Sequence, residues 1–143
     1  RIARLCPYQD IAFFSGGGCT KEEIEDTINK ALAAGTKIAV TTMGTDGSIV
    51  TDGKERIFQP AIKFNEPVVD TLGAGDTYIA AFLLEYFNTR DMSKAALRGA
   101  QFALTSLTCN GAFGHAVPAD TSGIVLKNSS EYSDQIVIEN RGF

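Results

Sequence analysis

The stretch Val68-Val69-Asp70-Thr71-Leu72-Gly73-Ala74-Gly75-Asp76-Thr77 decides how this chain reads. Val68 and Val69, both β-branched, predict the end of a buried strand. A glycine-rich turn follows, and then an apolar helical pattern over residues 78–87. Asp76 falls where the turn becomes helix. The backbone N–H groups of Gly73, Ala74 and Gly75 would then point outward, unpaired, at the positive end of the helix dipole. Such a place favours a phosphate or another developing anion. A carboxylate beside it could take a proton from an attacking hydroxyl. The plainer use of the same residues is a capped turn, because Asp is a common helix N-cap and glycines join strands to helices in many α/β proteins.

Upstream, Ile11-Ala12-Phe13-Phe14 is a short apolar run between Asp10 and Ser15-Gly16-Gly17-Gly18, and predicts a buried parallel strand. Three glycines there could cradle phosphate, but a tight strand-to-helix connection is the simpler reading. Thr20 with Glu23 forms a capping box, so a helix is expected from about Lys21, with Ile24, Ile28 and Leu32 on one stripe and Gly35 as its stop. Lys37-Ile38-Ala39-Val40-Thr41-Thr42 predicts a second strand, parallel to the first through a right-handed crossover. Residues 43–47 form a turn, and Asp52-Gly53-Lys54 between two β-prone runs signals a hairpin. After the central stretch, Ile79, Phe82, Leu83 and Tyr86 share a helical face. Ser93 is the expected cap of a further helix from Lys94 to about Thr108, with Asn110 and Gly111 ending it. Gln135-Ile136-Val137-Ile138-Glu139 could form a strand.

This order predicts an α/β fold, an open and mostly parallel sheet with helices on its faces. Residues 16–18, 42–47 and 73–76 each follow a predicted strand. Parallel strands would bring all three loops to one sheet edge, where such sheets bind ligands. Thr42 can offer a hydroxyl to a phosphate, and Gly44 and Gly47 allow close backbone approach. This turn is neither a Gly-Lys-Ser/Thr phosphate loop nor a dinucleotide-binding one.

Composition narrows the classes. The chain has 143 residues, 44% hydrophobic and 21% charged, enough for one domain with a core. A net charge of −4 gives no footprint for nucleic acid. No apolar run reaches membrane-spanning length, and no signal peptide is apparent. Cys6, Cys19 and Cys109 fit neither a disulfide framework nor a zinc site, and read as thiols of a reducing cytoplasm. His115, the only histidine, lies in a glycine-rich segment and reads as a loop residue rather than a catalytic one.

The run Asp-Thr-x-Gly-Ala-Gly-Asp-Thr at residues 70–77, with Ala80-Ala81 and Phe82 behind it, strongly resembles the C-terminal signature of the ribokinase-like (PfkB) sugar kinases. Thr42-Met43-Gly44-Thr45-Asp46-Gly47 is similar to that family's second nucleotide element, in the expected order. The resemblance implies a three-layer α/β/α fold and ATP-dependent phosphorylation of a sugar hydroxyl. By that resemblance Asp76 would be the catalytic base and the amides of Gly73, Ala74, Gly75 and Asp76 the anion hole. Thr42, Gly44, Gly47 and Gly75 would hold nucleotide, and Gln101 would lie on the helix that walls the adenine, where core packing is the default reading. Asp70 and Thr71 would border a monovalent-cation (K+) site together with the loop after the last helix, around Ser106 to Gly111, with a turn-pinning role for Asp70 as the equal alternative.

Many relatives carry Asn-x-x-Glu after the first strand to organise Mg2+, whereas here the place reads Phe14-Ser15-Gly16-Gly17-Gly18-Cys19. Mg2+ would then be held mostly by nucleotide oxygens and water. Asp10-x-Ala12-Phe13-x-Ser15, the central run and Thr108-Cys109-Asn110-Gly111-Ala112 look like the fructoselysine 6-kinase branch, whose substrate is an amine-linked fructose. Family members are about twice this long, so the resemblance implies their C-terminal half (residues 1–117), followed by an extension over 118–143. The expected partners are a small sugar, the N-terminal half, and a second copy pairing along bare strand edges. The fragment alone is expected to be inactive. The competing reading is a non-catalytic α/β ligand-binding or regulatory domain that kept the fold and lost turnover.

Overall fold

A computed structural model describes residues 2–63 and 65–111. The expectations for Ala112, His115, the 117/118 boundary and the 135–139 strand lie outside the described residues.

The chain opens on a helical turn, α1 (Ile2–Leu5), and a 3-10 turn at Cys6–Tyr8. Strand β1 (Ile11–Ser15) follows, then helix α2 (Lys21–Ala33), which starts on the expected capping box. Thr20 Oγ1 accepts the Glu23 amide at 3.2 Å, and the Glu23 carboxylate accepts the Thr20 amide at 2.8 Å. Strand β2 (Ile38–Thr42) pairs parallel to β1, with Ile11 opposite Ile38 and Ser15 opposite Thr42. A short 3-10 turn at Gly44–Asp46 leads into β3 (Ser48–Thr51), and the hairpin returns as β4 (Arg56–Gln59). Helices α3 (Ala74–Thr89) and α4 (Met92–Ser106) complete the described chain.

The four strands lie in the order β1-β2-β3-β4. Both pairings beyond β2 are antiparallel, so the sheet is mixed rather than mostly parallel. The cause is local. Only residues 43–47 separate β2 from β3, and so short a turn can reverse the chain but cannot carry a parallel crossover.

Alternate residues of β2 face opposite layers. Ile38 and Val40 join Val50, Tyr78, Phe82, Met92, Ala95 and Ala96 in a core beneath α3 and α4. Ala39 joins Ala12, Cys6, Ile24, Ile28 and Ala31 beneath α2. Both sheet faces are therefore covered by helix. Phe13 of β1 meets Phe82 edge-on at 5.5 Å, which puts α3 under the β1 side, while α4 lies against β3 and β4.

Two local expectations are corrected. Val68 and Val69 form no strand: they are 54% and 51% exposed, and the Val69 amide donates to the Leu107 carbonyl at 2.9 Å. β-Branching favours a pleated, half-buried setting, and no strand among the described residues offers one here. The cap of α4 is Asp91, not Ser93; its carboxylate accepts the Lys94 amide at 3.0 Å, and the helix starts two residues earlier than expected.

Candidate active site

Helix α3 begins on Gly73, in the left-handed region at φ 85°, which a residue with a Cβ resists. Glycine brings no side chain to cap the helix, so its first amides stay open. The Ala74 amide is an exception, since it donates to the Thr71 carbonyl at 3.2 Å. That corrects the expectation of three outward amides, because a turn this tight uses one of them internally. The amides of Gly75 and Asp76 have no partner among the described residues. A Cβ built on Gly75 meets nothing within 4 Å, so the space above it is open. Asp76 sits in the first turn, exposed, and its neighbour Thr77 is buried with its hydroxyl on the Gly73 carbonyl at 2.8 Å.

Asp70 fastens this turn from below. One carboxylate oxygen accepts the Leu72 amide at 3.0 Å, and the other accepts the Gly111 amide at 2.9 Å. These amides, Leu72 first, hold its carboxyl below the usual carboxylate range. Asp70 therefore pins the turn to the segment after α4. Thr71 is exposed.

The second turn, residues 42–47, sits at the carboxyl end of β2. Its base is closed by the Met43 amide donating to the Gly47 carbonyl at 2.8 Å. Gly44 (φ 58°) is exposed, with open space where a Cβ would stand. Gly47 (φ 101°) has a different reason to be glycine: a Cβ there would lie 2.2 Å from the Gln59 carbonyl oxygen. The Thr42 hydroxyl faces the Phe14 carbonyl at 3.5 Å, a long contact that leaves it able to turn to another acceptor. Gln101 is exposed on α4, while Ala100 and Ala103 on the same helix pack on the core.

One hydrogen bond joins β3, which follows the second turn, to α3, which follows the first, and the sequence did not announce it. Ser48 Oγ and Tyr78 Oη lie 2.9 Å apart, both residues buried. Ser48 follows Gly47 and stands opposite Thr42 across the β2–β3 ladder, and Tyr78 is two residues beyond Asp76. The available signal was a hydroxyl on each of two core-facing positions, visible only once the sheet face of α3 was known.

The 16–18 turn also touches β2, the Gly16 amide donating to the Thr42 carbonyl at 2.7 Å. A Cβ on Gly16 would stand 2.7 Å from Thr41 Cγ2, so this glycine serves close packing. Among the described residues no cluster of three or more His, Cys, Asp or Glu could hold a metal ion. A cavity of about 800 Å³ lies at the opposite end of the strands, between Lys37, Asp52, Lys54, Arg90 and Asp91. None of the expected site residues lines it.

Residues 10–119 match the pattern of the pfkB family carbohydrate kinases. A fructosamine kinase of Bacillus subtilis is 34% identical over 117 residues, 82% of this chain and 40% of that protein. A fructoselysine 6-kinase of Escherichia coli is 32% identical over 111 residues, 76% of this chain and 41% of its own length. The chain thus spans about two fifths of the curated relatives it matches. The structure of Arabidopsis thaliana ribokinase complexed with ribose and ATP superposes with a TM-score of 0.69 at 27% identity, covering 78% of this chain and 38% of that one.

Proposed function

The chain belongs to the pfkB family of carbohydrate kinases, and on that premise we propose that it forms the nucleotide-binding and catalytic-base part of an ATP-dependent kinase acting on a sugar hydroxyl. The observation that carries this reading is the exposed Asp76 beside the open amides of Gly75 and Asp76, with β3, directly after the 42–47 turn, hydrogen-bonded to the same helix. Asp76 takes the proton of the attacking hydroxyl, while the amides receive the charge that builds on the transferring phosphoryl group. Thr42 and the backbone around Gly44 hold nucleotide phosphates, and Gln101 stands on the adenine side. Mg2+ would neutralise charge on the nucleotide, carried by phosphate oxygens and water. Asp70 and the Thr71 carbonyl each keep a lone pair that could face K+. The fructosamine and fructoselysine kinases among the relatives point to an amine-linked fructose, phosphorylated at its 6-hydroxyl, as substrate. The work belongs in the cytoplasm, where ATP is plentiful.

The test is ADP release with ATP, Mg2+ and a panel of sugars and fructosamines. Activity is expected from a chain that also carries the sugar-binding part, and none from residues 1–143 alone. Asp76→Asn should lower the rate by about 10²–10⁴-fold, the usual worth of a general base. Near-normal turnover in that variant would overturn the assignment. The second reading, a binding domain without turnover, draws on the glycine turn where relatives carry Asn-x-x-Glu. ATP binding with no ADP release on any substrate would favour it.

A further inference from the structure

We infer that the buried hydrogen bond between Ser48 and Tyr78 is a clamp that holds the 42–47 turn and the Asp76 turn in one fixed register. Its importance for phosphoryl transfer rests on the reading of those turns given above; its existence as a mechanical link does not. Ser48 is 1% exposed and Tyr78 5% exposed, and the two hydroxyls meet at 2.9 Å. The structure shows no other partner for either hydroxyl among the described residues. The seat of the tyrosine is built for it: a Cβ at Gly99 would come within 2.9 Å of Tyr78 Cε2, and Phe82 stacks beside the ring at 6.1 Å. Phenylalanine would fill the same space, so packing alone does not call for the hydroxyl. The bond leaves α3 two residues after Asp76 and reaches β3 one residue after Gly47. Sliding or tilting α3 against the sheet would separate the open amides from the second turn, and would strand two buried hydroxyls. The clamp makes Tyr78 and Ser48 positioning residues, since neither reaches the open side of the site.

The test uses the 143-residue chain with Tyr78→Phe, Ser48→Ala and the double variant, read by hydrogen exchange and by ATP and AMP binding. Each single variant should raise exchange about tenfold at amides of both turns, with no further rise in the double, as expected when one shared hydrogen bond is lost. ATP affinity should fall about fivefold while AMP affinity stays within about twofold, because the register matters where the outer phosphates lie. Exchange rising at one turn only, additive effects in the double variant, or ATP and AMP affinities falling together would overturn the clamp. Should Tyr78→Phe fail to fold, Ser48→Ala breaks the same bond from the strand side. If ATP protects neither turn in the parent chain while the coupled exchange persists, the clamp stands and the phosphate reading of the turns falls.

Discussion

Single residues in this chain carry reasons that their identities do not display. Gly44 and Gly47 belong to one motif, yet the first faces open space and the second presses on the Gln59 carbonyl. Both were legible as turn glycines, but only the fold separates a glycine that faces open space from one that admits a neighbouring strand. Thr41 teaches the same lesson for a polar side chain. It read as one more strand residue, yet it is 1% exposed and its hydroxyl has no hydrogen-bond partner among the described residues. A buried hydroxyl left unpaired costs about 1–3 kcal/mol. Thr41→Val should therefore raise stability by about 1 kcal/mol, seen as a melting temperature a few degrees higher. A lower melting temperature would mean that the hydroxyl has a partner worth keeping.

At the scale of elements, termini decide the site. Helix α2 announces its start with a capping box, and the structure keeps it. Helix α3 starts on a glycine, with no side-chain cap, whereas α2 and α4 are each capped by a side chain. The tether beneath it is electrostatic as well as geometric. The amides of Leu72 and Gly111 lower the Asp70 pKa, the Glu55 and Lys54 amides lower that of Asp52, and the Lys94 amide lowers that of Asp91. A carboxyl whose folded pKa lies below its unfolded one stabilises fully above the unfolded value, near 4, and loses that contribution as pH falls through the lowered folded value. Thermal melts should accordingly decline from about pH 4 downward. Asp70→Asn should flatten that decline, because an amide group cannot accept the Leu72 and Gly111 amides together. An unchanged acid profile in Asp70→Asn would show that the tether carries no weight. The family resemblance brings the Asp70 turn and the loop after α4 to one site, but the Asp70–Gly111 hydrogen bond itself forms only because α3 and α4 pack as a hairpin.

The whole molecule has an open flank. Strand β1 ends the sheet, pairs only with β2 among the described residues, and carries no charge along Ile11–Ser15. Helix α3 lies under that side and leaves Leu84 68% and Phe87 58% exposed. A helix apolar nearly all round belongs inside a larger body, and an uncharged strand edge invites pairing. The chain alone should therefore self-associate, its sedimentation coefficient rising with concentration. A constant monomer over a wide concentration range would refute that. What the residues determined unaided was whatever depends on near neighbours: the capping box, the Asp-Gly hairpin, the two-strand parallel start, and the signature around Asp76 that marks the family. What tertiary structure alone decided was the Val69–Leu107, Ser48–Tyr78 and Asp70–Gly111 bonds. Each of those is a meeting of segments distant in sequence, and neither periodicity nor propensity records which distant surface a side chain will find.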